Sequence, residues 1–207
     1  MNRILRAVAL AAALTAPRAA GAQTVDLDAS LLRSDASVGA LDGSGGFGLA
    51  VAADRLFGRV GARLSLDRAS EGSVDPDGFC TWFGACISGP LDVEAALTTV
   101  RLSLLVGSPA DAPVQAVLGV SGVRSSFAQG SRRADSGEVV DRGGSNAVGL
   151  GASLDIRFPR LVGPLGPVVQ ARLDRLGSQA CPLDAACYFG APRTISSIGV
   201  GVSWRLR

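Results

Sequence analysis

Apolar and polar residues alternate strictly along Val148–Phe158. Val148, Leu150, Ala152, Leu154, Ile156 and Phe158 fall on one side, and Gly149, Gly151, Ser153, Asp155 and Arg157 on the other. A period of two is the mark of a strand with one apolar and one polar face. Seven further stretches follow the same rule: Val25–Leu32, Phe47–Asp54, Val60–Asp67, Thr99–Val106, Val114–Ser121, Val169–Asp174 and Ile198–Leu206. Four long connections separate them: Ser34–Gly46, Ala69–Pro90, Phe127–Gly144 and a segment holding Cys181 and Cys187. These alternate with short turns at Arg55–Gly58, Gly107–Pro113 and Pro159–Gly166.

A single such strand suits either a soluble sandwich, with its polar face wet, or a membrane barrel, with its polar face inside. The alternation of long and short connections selects the second, because transmembrane barrels carry long extracellular loops and short periplasmic turns. The expected fold is all-β: an eight-stranded antiparallel up-and-down transmembrane β-barrel with both termini periplasmic. Phe57, Phe158 and Trp204 map near the inner ends of the strands, and Phe47 and Phe127 near the outer ends, as interfacial girdles.

The first residues agree with export. Arg3 and Arg6 make a basic n-region, Ile4–Ala16 is a short run rich in Ala, Leu and Val, and Ala20-Gly21-Ala22 forms a small-residue cleavage site. Residues 1–22 therefore read as a secretory signal peptide, cleaved after Ala22, and 23–207 as one barrel domain. No later segment holds about twenty consecutive apolar residues, the length of a transmembrane helix.

Composition narrows the chemistry. The chain has no histidine and no lysine, so the commonest general base and metal ligand is missing. A net charge of +2 does not suggest nucleic acid. The reading is of a protein that is not an enzyme, with no cofactor and no metal site. Four cysteines in an exported chain point to disulfides, with zinc ligation as the alternative. Each pair lies within one loop at matching spacing, so local bridges Cys80–Cys86 and Cys181–Cys187 are expected.

In hairpin rhythm, and in its last strand Ile198–Leu206, the chain resembles the small eight-stranded outer-membrane proteins of the OmpA/OmpX type. The resemblance spans Gln23 to Arg207. It implies location in a Gram-negative outer membrane, insertion by the barrel-assembly machinery, contact with outer-membrane lipid and lipopolysaccharide, and a monomer. Such proteins usually end on an aromatic residue. This chain ends Trp204-Arg205-Leu206-Arg207.

The polar faces collect Asp26, Asp28, Asp67, Asp155 and Asp174 together with Arg63, Arg101, Arg157, Arg172 and Arg205. An eight-stranded barrel is just wide enough to fill with side chains, so these ten are expected to form an interior network of ion pairs. The acid pair Asp26/Asp28 lacks a neighbouring nucleophile for acid–base work. On the apolar parity, four strands end on arginine: Arg33, Arg68, Arg124 and Arg175. They form a candidate rim for lipopolysaccharide phosphates, or else charges that reach into water. Ala62-Arg63-Leu64-Ser65-Leu66-Asp67-Arg68 recurs in shortened form as Ala171-Arg172-Leu173-Asp174-Arg175, each followed by a Cys-x5-Cys loop. This echo reads either as a duplicated half-barrel or as convergence on barrel composition.

Three functions remain open. The first is a barrel with a filled polar interior and four surface loops, acting in adhesion, surface interaction or structural support. The second is a small-molecule binding or transport barrel, either a laterally opening membrane barrel or a soluble lipocalin-like carrier. The third is an outer-membrane hydrolase or acyltransferase, for which the lack of histidine is unfavourable.

Overall fold

A computed structural model describes residues 24–36, 43–57, 59–75, 79–80, 86–87, 89–109, 112–158, 164–177 and 193–206. At 55, 57, 73–75, 79–80, 86–87 and 141–142 it describes the backbone alone. The expected signal peptide lies outside the described residues. Among those described, ten strands follow in chain order: β1 (Thr24–Ala36), β2 (Ser44–Phe57), β3 (Val60–Asp75), β4 (Phe79–Cys80), β5 (Cys86–Ile87), β6 (Leu91–Gly107), β7 (Gln115–Arg133), β8 (Val139–Arg157), β9 (Leu165–Leu176) and β10 (Thr194–Leu206). β4 and β5 pair only with each other. The other eight close into an antiparallel barrel in the order β1-β10-β9-β8-β7-β6-β3-β2. Closure pairs the first and last strands and leaves no edge at the levels that all eight strands share.

The register fixes the shape. Ala36 pairs with Ile195, and hydrogen-bonded neighbours then lead through Asp174, Gly151, Ser121, Ser103, Arg63 and Ala52 to Asp26. One circuit thus returns to β1 ten residues below its start. Eight strands with this stagger lie tilted by about 40° and enclose a space that side chains fill.

Alternation sends the large aliphatic side chains outward. Leu31, Leu102, Leu118, Val148, Leu150 and Ile198 are all exposed, Leu150 at 75%. The opposite parity is buried and largely polar, with Asp26, Asp155 and Asp174 at 0%. A barrel that exposes its leucines and buries its aspartates has its apolar side facing its surroundings.

Four strand ends differ from the sequence expectation. The stretch Phe127–Gly144 is not a long loop: β7 and β8 run on through it, and only the turn at Ala134–Glu138 joins them. Likewise β3 continues to Asp75, inside the expected loop Ala69–Pro90, and β6 starts at Leu91, ahead of the expected strand Thr99–Val106. On β8 above the apolar band both faces are mostly small or polar, so the period-two signal fades while the hydrogen-bonded ladder persists; on β6 the alternation continues with Leu91, Val93, Ala95 and Leu97 on the inward parity. Phe127 is the second correction. It was expected in an outer aromatic girdle, yet its side chain is 3% exposed and points inward. β7 keeps its parity up to that point, and Phe127 falls on the inward set with Val123 and Ser125. Phe47 and Trp204 are exposed on the outer surface, Phe158 is half-buried, and the Phe57 side chain lies outside the described residues.

Candidate functional site

The inward residues stack in layers. In the lowest, Arg157 reaches four carboxylates: Asp26 at 2.8 Å, Asp28 at 3.1 Å, Asp54 at 3.4 Å and Asp155 at 3.5 Å. Arg205 grips Asp26 in a two-pronged pair, Nε to Oδ1 at 2.9 Å and Nη2 to Oδ2 at 3.0 Å. Arg63 pairs with Asp155 and donates to Ser153 Oγ at 2.8 Å. The next layer joins Arg101 to both Asp67 and Asp174, and Arg172 to Asp67 and to the Gln170 side-chain oxygen. All ten charged residues singled out from the polar faces therefore meet in this network. Sequence reasoning missed Asp54, although it shares the inward parity of Gly48, Ala50 and Ala52. Asp26 and Asp28 are both engaged by arginine, so neither carboxylate stands free as an acid or base.

Above the ions lies an apolar layer. Ala95, Leu97, Val123, Phe127, Ala147, Leu176 and Ile195 form one buried cluster inside the barrel. The interior is therefore not polar throughout: its outer end is capped by hydrocarbon. Hydrocarbon beside a charge lowers the polarity around it, which raises the cost of leaving it unpaired.

The echo in the sequence has a geometric counterpart. β3 and β9, which carry its two copies, stand diametrically opposite, and the Arg172–Asp67 pair bridges them across the lumen. Gly48 and Gly151 face inward at matching places. A Cβ on Gly48 would strike Asp67 Oδ1 and Ser30 Oγ; one on Gly151 would strike Asp174 Oδ1 and Ser121 Oγ. Gly46 and Gly149 repeat the match, each crowding the backbone oxygen of Arg68 or Arg175. A pseudo-two-fold axis along the barrel thus relates Ser30 to Ser121, Arg33 to Arg124, Asp67 to Asp174 and Arg68 to Arg175.

Outside, Arg33, Arg68, Arg124 and Arg175 are all exposed on the lipophilic parity. Beyond them four strands rise further. The β8–β9 ladder stops at Gly149↔Leu176 and β2–β3 at Gly45↔Ser70, while β3–β6 pairing continues to Asp75↔Leu91 and β6–β7 to Leu91↔Arg133. A four-stranded wall of β3, β6, β7 and β8 therefore stands above the rest of the barrel. A hollow of about 620 Å³ lies on it, floored by Ala96, Ala128, Gly130 and Gly143 and flanked by Arg68, Glu94 and Arg132. In the small β4–β5 ladder Cys80 sits directly opposite Cys86. Cys181 and Cys187 lie outside the described residues.

No protein-family model matches the chain, and no curated protein matches it by sequence. Solved structures do match its fold. A major outer membrane protein from Thermus thermophilus superposes with a TM-score of 0.66 at 19% identity, over 90% of this chain and 100% of that one. Neisserial surface protein A gives 0.53 at 12% identity, and Ail, the attachment invasion locus protein of Yersinia pestis, gives 0.50 at 10%. Both cover 89% of this chain and 97% of their own. Its closed antiparallel wall, outward leucines and superposition over about nine-tenths of its length give this chain the fold of the small eight-stranded outer-membrane β-barrels.

Proposed function

We propose that this chain is a non-enzymatic outer-membrane barrel with a sealed interior, which acts at the cell surface in adhesion or another surface interaction. One observation carries the reading: charged residues fill the lumen as mutual ion pairs under an apolar cap, while the outer wall is aliphatic. On this reading the lumen serves neither as an open channel nor as a reaction chamber. What projects from the membrane is the β3–β6–β7–β8 wall. Among the described residues, its flanks Glu71–Asp75 on β3 and Val139–Ser145 on β8 have no ladder partner on their outer sides. Such edges accept an added strand from another chain. Loop bridges Cys80–Cys86 and Cys181–Cys187 would brace the outer connections in an oxidising compartment, and export would follow from the signal peptide at 1–22.

A soluble lipocalin-like carrier needs the opposite polarity, an apolar lumen and a wet exterior. A conduit needs a gap through the Phe127 cluster. The test is to purify the chain in neutral detergent, compare its gel migration before and after boiling, and measure conductance in a planar bilayer. The proposal expects detergent-dependent solubility, a boiling-induced shift and no discrete conductance. Monodispersity without detergent would overturn the membrane reading, and stable unitary currents would overturn the sealed interior.

A further inference from the structure

The register places the four outward arginines at one height. Because a full circuit of eight strands descends ten residues, each step in the direction β1 to β10 to β9 descends one and a quarter. From Arg33, two steps through Ile198 reach Ala171, and Arg175 stands four residues further up β9. Two more steps through Leu154 reach Leu118, and Arg124 stands six residues further up β7. In the other direction, Gly45 leads to Ser70, with Arg68 two residues below it. All four guanidinium-bearing residues thus fall within one and a half residues of height, about 4 Å on tilted strands. They occupy every second strand, a quarter-turn apart.

This ring is a boundary. Immediately below it on the same faces stand Leu31, Leu66, Gly122 and Leu173, and the exposed aliphatic residues continue down to Val25, Val60, Val114 and Leu165. From Val25 to Arg33 the band spans about 20 Å, close to the height of the lipid-facing zone of outer-membrane barrels. Above it, the outward positions become Asp35, Ser70, Ser126 and Ala128. No described residue forms an ion pair with any of the four arginines.

We infer that Arg33, Arg68, Arg124 and Arg175 form a belt that binds phosphate-bearing lipid headgroups of the outer leaflet. The inference rests on the membrane reading above. A guanidinium presents paired donors to phosphate oxygens at fixed geometry, which an ammonium does not. Four such groups at the height where acyl chains end hold phosphates around the whole circumference. The partner is a lipid and not a soluble anion, because the aliphatic wall directly beneath the ring receives the chains attached to the phosphate.

The experiment is native mass spectrometry of the folded full chain in neutral detergent, titrated with diphosphorylated lipid A and with the same lipid stripped of its phosphates. The parent is expected to bind the phosphorylated form at least about tenfold more tightly, a difference near 1.4 kcal/mol, and to lose that preference as salt rises. The variant R33Q/R68Q/R124Q/R175Q should keep its boiling-induced gel shift and bind both lipids equally. The four-lysine counterpart should retain part of the preference, which separates geometry from charge. Equal binding of both lipids by the parent overturns the belt, as does an unchanged preference in the glutamine variant. Displacement of lipid A by equimolar inorganic phosphate, or equally tight binding of a soluble heparin fragment, overturns the lipid assignment in favour of a plain anion site. A parent without any gel shift would instead fail the membrane reading, so the two failures are distinct.

Discussion

Replacing Arg157 with leucine tests the interior most directly. Arg157 is the hub of the lowest ionic layer, with four carboxylates within 3.5 Å and its side chain only 3% exposed. In its absence Asp26 and Asp54 still have Arg205, and Asp155 still has Arg63. Asp28 loses its ionic partner and stays buried. Removing one partner of a buried pair costs about 3–5 kcal/mol, chiefly because the other charge is left without compensation. Arg157→Leu should therefore destabilise the barrel by about that amount in a urea titration of folding into neutral-lipid vesicles, followed by tryptophan fluorescence and gel shift. Arg205→Leu, at the wetter end of the lumen, should cost less. The double variant Arg157→Leu/Asp28→Leu should recover part of the loss, since pairs in contact are not additive. A single variant within about 1 kcal/mol of the parent, or a double variant showing the simple sum of the two losses, would refute an ion-paired core.

Leu154→Arg puts a charge on the outer wall near mid-band and should cost about 2–4 kcal/mol in the same titration; indifference there would reverse inside and outside. Gly149→Ala and Gly46→Ala each drive a Cβ into the backbone of the neighbouring strand and should impair folding, whereas Gly122→Ala, with nothing within 4 Å, should be neutral. Equal tolerance at all three would contradict the close strand contact beside Arg68 and Arg175. Non-reducing peptide mapping should find Cys80 linked to Cys86 and Cys181 to Cys187; a Cys80–Cys181 or Cys80–Cys187 peptide would show bridging between loops instead.

Strand identity was legible wherever one face had to be apolar. Val60–Asp67 and Val148–Phe158 declare both their type and their inward residues, because a one-residue slip would put aspartate against lipid. The upper halves of β6, β7 and β8 were not legible. At Gln129–Arg133 both faces are small or polar, and nothing in the pattern separates ladder from loop. The charged residues of the lumen could be read by parity, but their partners could not. Arg157 and Asp26 are 131 residues apart, and only the stagger of a closed barrel brings them together. Phe127 misled for a related reason. An aromatic near a strand end suggests an interfacial girdle, yet parity carried through its neighbours places it inside. The common height of the four arginines depends on the shear, which no sequence pattern reveals.

The span of these pairs across the lumen bears on how the protein assembles. Arg63–Asp155, Arg101–Asp174 and Arg157–Asp26 each join strands three places apart around the wall, and Arg172–Asp67 joins strands on opposite sides. A partly formed, open sheet satisfies none of them, however many hairpins it has already zipped. Arg63 and Arg172 meet a carboxylate only when the sheet curls shut, whereas Arg101 already has Asp67 on the neighbouring strand β3; Arg205–Asp26 forms across the β1–β10 seam itself. The network therefore acts as a latch that rewards the final step and makes half-closed intermediates costly, so that insertion should proceed as a single cooperative event.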